Sequence, residues 1–114
     1  MTVRDVVDRL GLQVLAPGDG LDKEITGGYA SDLLSDVMGH GKTANLWVTL
    51  QTHRNIVAVA TLKELAAVVL VNGRTPDPET LEKAREEKVV VLGSDLPAFE
   101  LVGKLHEMGI RGIV

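Results

Sequence analysis

The segment Leu46–Gly73, LWVTLQTHRNIVAVATLKELAAVVLVNG, contains a complete strand–helix–strand pattern. Its opening run, Leu46–Leu50, is rich in residues that favour extended structure, and Ala67–Val71 is a second continuous apolar run. Between them, Ile56–Leu65 consists mostly of good helix formers and is not interrupted by glycine or proline. The segment therefore predicts two parallel strands joined by a right-handed helical crossover, the βαβ unit.

Apolar patterns on both sides of this unit predict further strands and helices. The predicted helices are Val3–Leu10, Leu33–Met38, a surface helix from Pro78 to about Glu87, and Pro97–Met108; the predicted extended segments are Leu12–Leu15, Glu24–Ala30, Lys88–Leu92 and Ile110–Val114. Strands that alternate with helices predict an α/β fold with a mostly parallel sheet covered by helices. A chain of 114 residues fits one such domain, residues 1–114, with a single core.

The ends and buried sides of the predicted helices follow from single residues. Thr2 and Gly11 are expected to cap the first helix, and Ser31 or Asp32 is expected to begin the second, which Gly39 then ends. The last helix is expected to bury its apolar residues: Phe99, Leu101, Val102, Leu105 and Met108.

Composition excludes several classes of function. The chain has no cysteine, so it supplies neither disulfides nor thiolate-held metal clusters. A net charge of −4 argues against nucleic acid or an anionic membrane surface as the main partner. Every uninterrupted apolar run is far shorter than the roughly 20 residues that span a bilayer. The acidic start, Met1–Asp5, does not fit a signal peptide, so we expect a cytoplasmic protein.

Small or polar residues follow each strand that leads into a helix. These turns are Ser31-Asp32, Gln51-Thr52-His53, Asn72-Gly73 and Gly93-Ser94-Asp95. In a parallel sheet they lie along the carboxyl edge of the strands, where α/β folds bind ligands. Ordinary helix capping is the alternative explanation for the same residues.

The turn before the central helix is the strongest candidate for a ligand site. Gln51, Thr52, His53 and Asn55 crowd the start of a helix that is apolar almost all round, and the helix dipole there favours an anion. The Gly27-Gly28 pair suggests a bulge or a place where something approaches the backbone closely. The alternative is that His53 only ties down the loop.

Catalytic and metal motifs are weak. Gly39–Thr43 ends like a P-loop, but Asp36 replaces the required first glycine, and a helix rather than a strand precedes the motif. Asp32, Asp36 and His40 share a helical spacing that could hold a divalent ion, although solvent-facing polar residues explain it equally well. No nucleophile–base pair stands out, so we expect no catalysis, no cofactor and no metal.

Three stretches resemble the DRTGG domain family: Thr26-Gly27-Gly28, Leu46–Ala60 and Leu70–Gly73. The resemblance extends from about Val14 to Met108, and Glu24-Ile25 replaces the Asp-Arg of the family name. It implies a fold like the N-terminal domain of HPr kinase/phosphorylase and, distantly, of Mur ligases. The kinase P-loop lies in a separate domain of those proteins, so kinase activity is not implied. The same module lies between CBS domains of regulated pyrophosphatases, which implies a regulatory or assembly role.

These observations predict a non-enzymatic regulatory module that senses a small anionic metabolite, such as a nucleotide, or docks on a partner enzyme. The alternatives are a dimerisation or interaction domain without a ligand and a small phosphoester hydrolase. The excess apolar surface of the central helix predicts a homodimer. The expected ligand-binding residues are Thr26, Gly27, Gly28, Ser31, Asp32, Gln51, Thr52, His53, Asn55 and Asn72.

Overall fold

The computed structural model describes residues 1–112, which form a five-stranded sheet with helices on both faces. The helices are α1 (Val3–Leu10), α2 (Leu34–His40), α3 (Asn55–Lys63), α4 (Pro78–Glu87) and α5 (Ala98–Glu107); the strands are β1 (Gln13–Pro17), β2 (Gly27–Ala30), β3 (Asn45–Thr49), β4 (Ala67–Leu70) and β5 (Val90–Gly93). The strand order is β1-β5-β4-β3-β2, with β2 to β5 parallel and β1 antiparallel to β5. This confirms the predicted α/β fold with a mostly parallel sheet.

The central βαβ unit has the predicted form. β3 and β4 pair in parallel, with Leu46 opposite Ala67 and Thr49 opposite Leu70. Because α3 lies between α2 and α4 on the same face of the sheet, its apolar sides are covered within one chain. Leu62, 70% exposed, is the large apolar residue that α3 leaves in solvent. The argument for a dimer from excess apolar surface on this helix is therefore wrong.

Two separate apolar clusters fill the two faces of the sheet, because successive strand side chains point to opposite sides. Trp47 and Val68 pack with α2, α3 and α4 on one face. Leu46 and Val69 pack with α1 and α5 on the other. We call these the three-helix face and the two-helix face.

The helix ends agree with the predictions in part. The Thr2 side chain caps α1 in a reciprocal pair with Asp5, and Gly11 ends this helix with φ of 61°. Neither Ser31 nor Asp32 caps α2, whose N-cap is Leu33 without a side-chain hydrogen bond. The strand at Glu24–Ala30 is shorter than expected, since only β2 and an isolated bridge to Thr2 form there.

The buried side of α5 differs from the prediction. Leu101 and Leu105 are buried against the sheet, whereas Phe99 is 87% exposed and Val102 is 37% exposed. Phe99 precedes Leu101 by two residues, or about 200° around the helix, so the sheet cannot cover both. Residues 110–112 are not in a strand, and residues 113–114 of the predicted terminal strand lie outside the described range. Within residues 1–112, no helix is long and apolar enough to cross a membrane.

Candidate functional site

The turns after β2 and β3 are bound to each other at the carboxyl edge of the sheet. Asp32 Oδ1 accepts hydrogen bonds from the Thr49 hydroxyl (2.9 Å) and from the Leu50 N–H (2.7 Å). Gln51 Nε2 donates to the Asp32 carbonyl at 2.8 Å, and Ser31 Oγ accepts from a backbone N–H of its own turn. The structure thus brings Ser31, Asp32 and Gln51 together, and their polar groups hold the two turns in place.

The amino end of α3 differs from the predicted cap. Arg54 is the N-cap residue and makes no side-chain capping bond, so Thr52 does not cap this helix. Instead, the Thr52 carbonyl accepts hydrogen bonds from the Thr80 hydroxyl (2.6 Å) and the Asp77 N–H (3.2 Å). These bonds fix the turn to the start of α4. Thr80 is fully buried, and no local pattern marks it, because its partner lies 28 residues away.

His53 is exposed and organises its own loop. Its Nδ1 accepts from the Asn55 N–H at 3.1 Å, and its carbonyl accepts from the Ile56 N–H at 3.1 Å. The Val57 N–H donates to the Arg54 carbonyl at 3.0 Å. The first N–H groups of α3 therefore already have acceptors within the chain. An anion at this turn would have to share these N–H groups with those acceptors or displace the acceptors.

Asn72 lies in the turn after β4 with φ of 58°. Its N–H donates to the Leu96 carbonyl (2.9 Å), and the Gly73 N–H donates to the Ser94 carbonyl (2.8 Å). The turns after β4 and β5 are therefore also joined to each other, here by backbone hydrogen bonds.

Thr26, Gly27 and Gly28 lie at the opposite edge of the sheet, so the single cleft predicted for them and the His53 turn does not form. Gly27 begins β2 and Ser31 follows its end, a separation of roughly 13 Å at the usual rise of an extended strand. The Thr26 hydroxyl donates to the Thr43 carbonyl (2.7 Å) and accepts from Asn45 Nδ2 (3.2 Å). These residues hold the start of β2.

The close backbone approach predicted at the glycine pair is made by the chain itself. The Gly28 N–H donates to the Arg111 carbonyl at 2.9 Å. A Cβ atom built on Gly27 would lie 2.8 Å from the same carbonyl oxygen, which is closer than side chains tolerate. Glycine is therefore required here because Arg111 and its neighbours lie against β2.

The proposed metal-binding triplet is divided between two places. Asp32 turns toward β3, whereas Asp36 accepts from the Tyr29 hydroxyl at 2.9 Å and lies 3.0 Å from His40 Nδ1. Hydrogen bonds from the Ser31 and Tyr29 hydroxyls lower the pKa of Asp36, and the same carboxylate raises the pKa of Tyr29. Among residues 1–112 there is no group of three side chains that could hold a metal ion.

The same cluster argues against a serine nucleophile. The Ser31 hydroxyl lowers the pKa of Asp36, and the Asp36 carboxylate lies 3.0 Å from His40 Nδ1. The carboxylate thus lies between the two, whereas nucleophilic catalysis needs the imidazole next to the hydroxyl.

The Gly39–Thr43 segment comprises the end of α2 and the start of the turn before β3, so a helix precedes it and a strand follows, the wrong order of elements for a P-loop. Gly39 lies inside α2, and Gly41, not Gly39, ends this helix. The Lys42 N–H donates to Asn45 Oδ1 at 3.0 Å and closes the turn.

An apolar hollow that we did not predict from the sequence lies on the two-helix face. It has a volume of about 350 Å³ and lies between β2, α5 and the segment 110–112. Its lining residues are Gly28, Tyr29, Ala30, Val48, Val102, Leu105, His106, Ile110, Arg111 and Gly112. Gly28 and Ala30 have little or no side chain, so the groove between β2 and α5 is unfilled by residues 1–112. Small residues on alternate positions of β2 are the signal that could have revealed it.

The exposed side of α5 continues this apolar surface. Phe99, Val102, Gly103 and His106 follow the i, i+3, i+4, i+7 spacing of one helix side, and we call them the α5 face. A second, wider hollow of about 550 Å³ lies along Ala98, Phe99 and Gly103. The two hollows share Ala30, Val102 and His106.

Comparison with known proteins bears on the fold. No protein-family model matches the sequence, and no curated protein matches it. The chain is similar to the crystal structure of the CBS and DRTGG domains of the regulatory region of Clostridium perfringens pyrophosphatase, complexed with its activator diadenosine tetraphosphate. The TM-score is 0.68 at 11% identity, over 90% of this chain and 44% of that one. This chain thus spans less than half of that structure, and the likeness supports the fold that the resemblance implied.

Proposed function

We propose that this chain is a non-catalytic regulatory module that acts by binding another protein through the α5 face. The observation that carries this proposal is Phe99, which is 87% exposed and lines the wider apolar hollow of about 550 Å³. Contiguous apolar surface of this kind marks interaction sites in soluble proteins, and aromatic residues are enriched in them.

The comparison supports the regulatory part of the proposal. The similar structure belongs to the regulatory region of an enzyme, and we infer the same kind of role for this chain, together with membership of the DRTGG family and a cytoplasmic location. The polar groups at the carboxyl edge support the non-catalytic part, since Asp32, Ser31 and Thr52 are engaged in bonds that hold turns together.

Affinity co-purification with matched variants tests the binding role. Phe99→Ser removes the exposed ring of the α5 face, and Leu62→Ser removes a comparably exposed apolar residue on α3. We expect a protein that the parent and Leu62→Ser retain and that Phe99→Ser loses. An identical set of retained proteins for all three would contradict the proposal.

Turnover assays test the non-catalytic role. We expect no hydrolysis of ATP, pyrophosphate or model phosphoesters, because no hydroxyl in the Ser31–Asp36–His40 cluster adjoins the imidazole. Metal-dependent hydrolysis that disappears in Asp36→Ala would favour the hydrolase alternative.

A small anionic ligand, such as a nucleotide, is a second candidate. The exposed residues His53, Arg54 and Asn55 at the start of α3 favour it, because the helix dipole attracts anions and the Arg54 guanidinium, 3.7 Å from Glu79, adds positive charge nearby. Calorimetry against nucleotides, phosphates and carboxylates is the test. His53→Ala should weaken binding by roughly 1–3 kcal/mol, the scale of a charge-assisted hydrogen bond. Equal affinity of parent and variant would exclude this turn.

A further inference from the structure

The two-helix face contains both a projection and a hollow. Phe99 projects from the first turn of α5, and the hollow of about 350 Å³ lies beside His106, about two turns further along. A cavity of about 150 Å³ is enough to hold benzene, so the hollow has room for a phenyl ring. In a symmetric dimer each copy supplies the same patch, so a surface that carries both shapes can pair with itself.

Gly103 lies at the middle of the α5 face. A Cβ atom built on it would meet nothing within 4 Å, so packing within the chain does not require glycine there. In a helix interior glycine costs about 1 kcal/mol relative to alanine. A glycine at this position allows two helix backbones to approach closely, and an antiparallel crossing near it would place Phe99 of each copy opposite His106 of the other.

The charges along α5 favour the same arrangement. Glu100 is exposed in the first turn, and Arg111 lies beyond the last turn, where its guanidinium contacts both the ring and the carbonyl of His106. Antiparallel pairing brings Glu100 of each helix against the end of the other that carries Lys104 and Arg111 as well as Glu107, twice by symmetry. A parallel pairing would bring like charges together. This local complementarity lets two chains of net charge −4 meet at this face.

We propose that the protein bound at the α5 face is a second copy of this chain. The two α5 helices cross antiparallel at Gly103, and Phe99 of each copy fills the hollow of the other. The inference rests on the function proposed above and names the partner of the same surface.

Sedimentation equilibrium at micromolar and higher concentrations is the first test. The parent should approach twice the 12.2 kDa mass of one chain. Phe99→Asp should weaken self-association by about tenfold or more, the effect of losing an interface hot spot. Leu62→Asp, with a similarly exposed side chain on α3, should associate like the parent. Circular dichroism should show that both variants remain folded, since neither side chain is buried.

Charge exchange is the second test. Glu100→Arg should weaken association because it places a positive charge against Arg111 of the other copy. The double variant Glu100→Arg/Arg111→Glu should recover part of it, since each contact then has reversed signs. Failure of the double variant to associate better than the single one would contradict the antiparallel arrangement.

The outcomes separate this inference from the proposed function. A monomeric parent, or a dimer that Phe99→Asp leaves intact, overturns the second copy as partner. Loss of a different co-purified protein in Phe99→Ser would then still support docking through the α5 face. If Phe99→Asp leaves self-association unchanged and Phe99→Ser retains the same proteins as the parent, both proposals are overturned.

Discussion

The two faces of the sheet differ in how completely helices cover them. On the three-helix face, Trp47, Ile56 and Val57 are fully buried, because α3 lies between α2 and α4. On the two-helix face, α1 and α5 leave β2 partly uncovered, and Phe99 points into solvent. Both faces are apolar, so the difference comes from the number of helices and from the small side chains of Gly28 and Ala30 on β2.

This difference identifies where a binding surface is available. Polar residues concentrate in the turns at the carboxyl edge, but the contacts of Asp32, Thr52 and Asn72 serve the fold. Within the part of the chain that the structure describes, the uncovered apolar surface beside α5 has no such role. The docking site proposed for this domain therefore rests on the incomplete coverage of the sheet and not on polar residues alone.

The largest expected effect concerns the buried tryptophan of the three-helix face. Trp47→Ala should lower the free energy of unfolding by about 3–5 kcal/mol, because it opens a cavity and removes the hydrogen bond from the indole to the Ser31 carbonyl. Phe99→Ala should change it by less than about 0.5 kcal/mol. Urea titration at low protein concentration, where association contributes least, gives both values. Similar losses for the two variants would remove the contrast between the faces.

Asp32→Ala should cause the next largest decrease in the free energy of unfolding. It leaves the buried Thr49 hydroxyl and the Leu50 N–H without their acceptor, at a cost of about 1–3 kcal/mol. Asp8→Ala, at an exposed acid on α1, is a suitable control. If the two variants unfold at the same urea concentration, Asp32 does not hold the turns together.

Gly27→Ala tests whether residues 110–112 form one wall of the hollow by lying against β2. The added methyl group would clash with the Arg111 carbonyl, so residues 110–112 should move away from β2. The free energy of unfolding should fall by about 1 kcal/mol, the low end for overpacking. The cost is low because Arg111 and Gly112 are exposed and can move. Amide exchange at Gly28, whose acceptor is Arg111, should become faster. Gly39→Ala, which meets nothing within 4 Å, should leave this exchange rate unchanged.

The smallest expected effect is the pH dependence of Asp36 on the three-helix face. Its pKa is lowered in the folded state by bonds from Ser31 and Tyr29 and by His40. The ionised carboxylate therefore stabilises the fold above the unfolded pKa of about 4, and this contribution is lost as the pH falls through the lowered folded pKa. The difference in stability between the parent and Asp36→Asn should shrink below about pH 4. A difference independent of pH would contradict this assignment.

Local sequence patterns were sufficient to predict the central βαβ unit. The apolar runs at Leu46–Leu50 and Ala67–Val71 and the uninterrupted helix between them correspond to β3, β4 and α3. Thr2 and Gly11 end α1 as expected. In each case the residues that decide the conformation are neighbours in the chain, so propensity, periodicity and capping contain the necessary information.

Only the tertiary structure decided the partners of the remaining groups. Thr52 and Asp32 are suitable caps by residue type, yet their hydrogen bonds go to α4 and to the end of β3. Phe99 has an apolar side chain, but α5 has the sheet on one side only. The sequence alone thus determined the conformations of the central unit and the ends of α1, because these depend on adjacent residues. Burial and long-range hydrogen bonds were decided by the packing of the elements, because they depend on which surfaces the fold brings together.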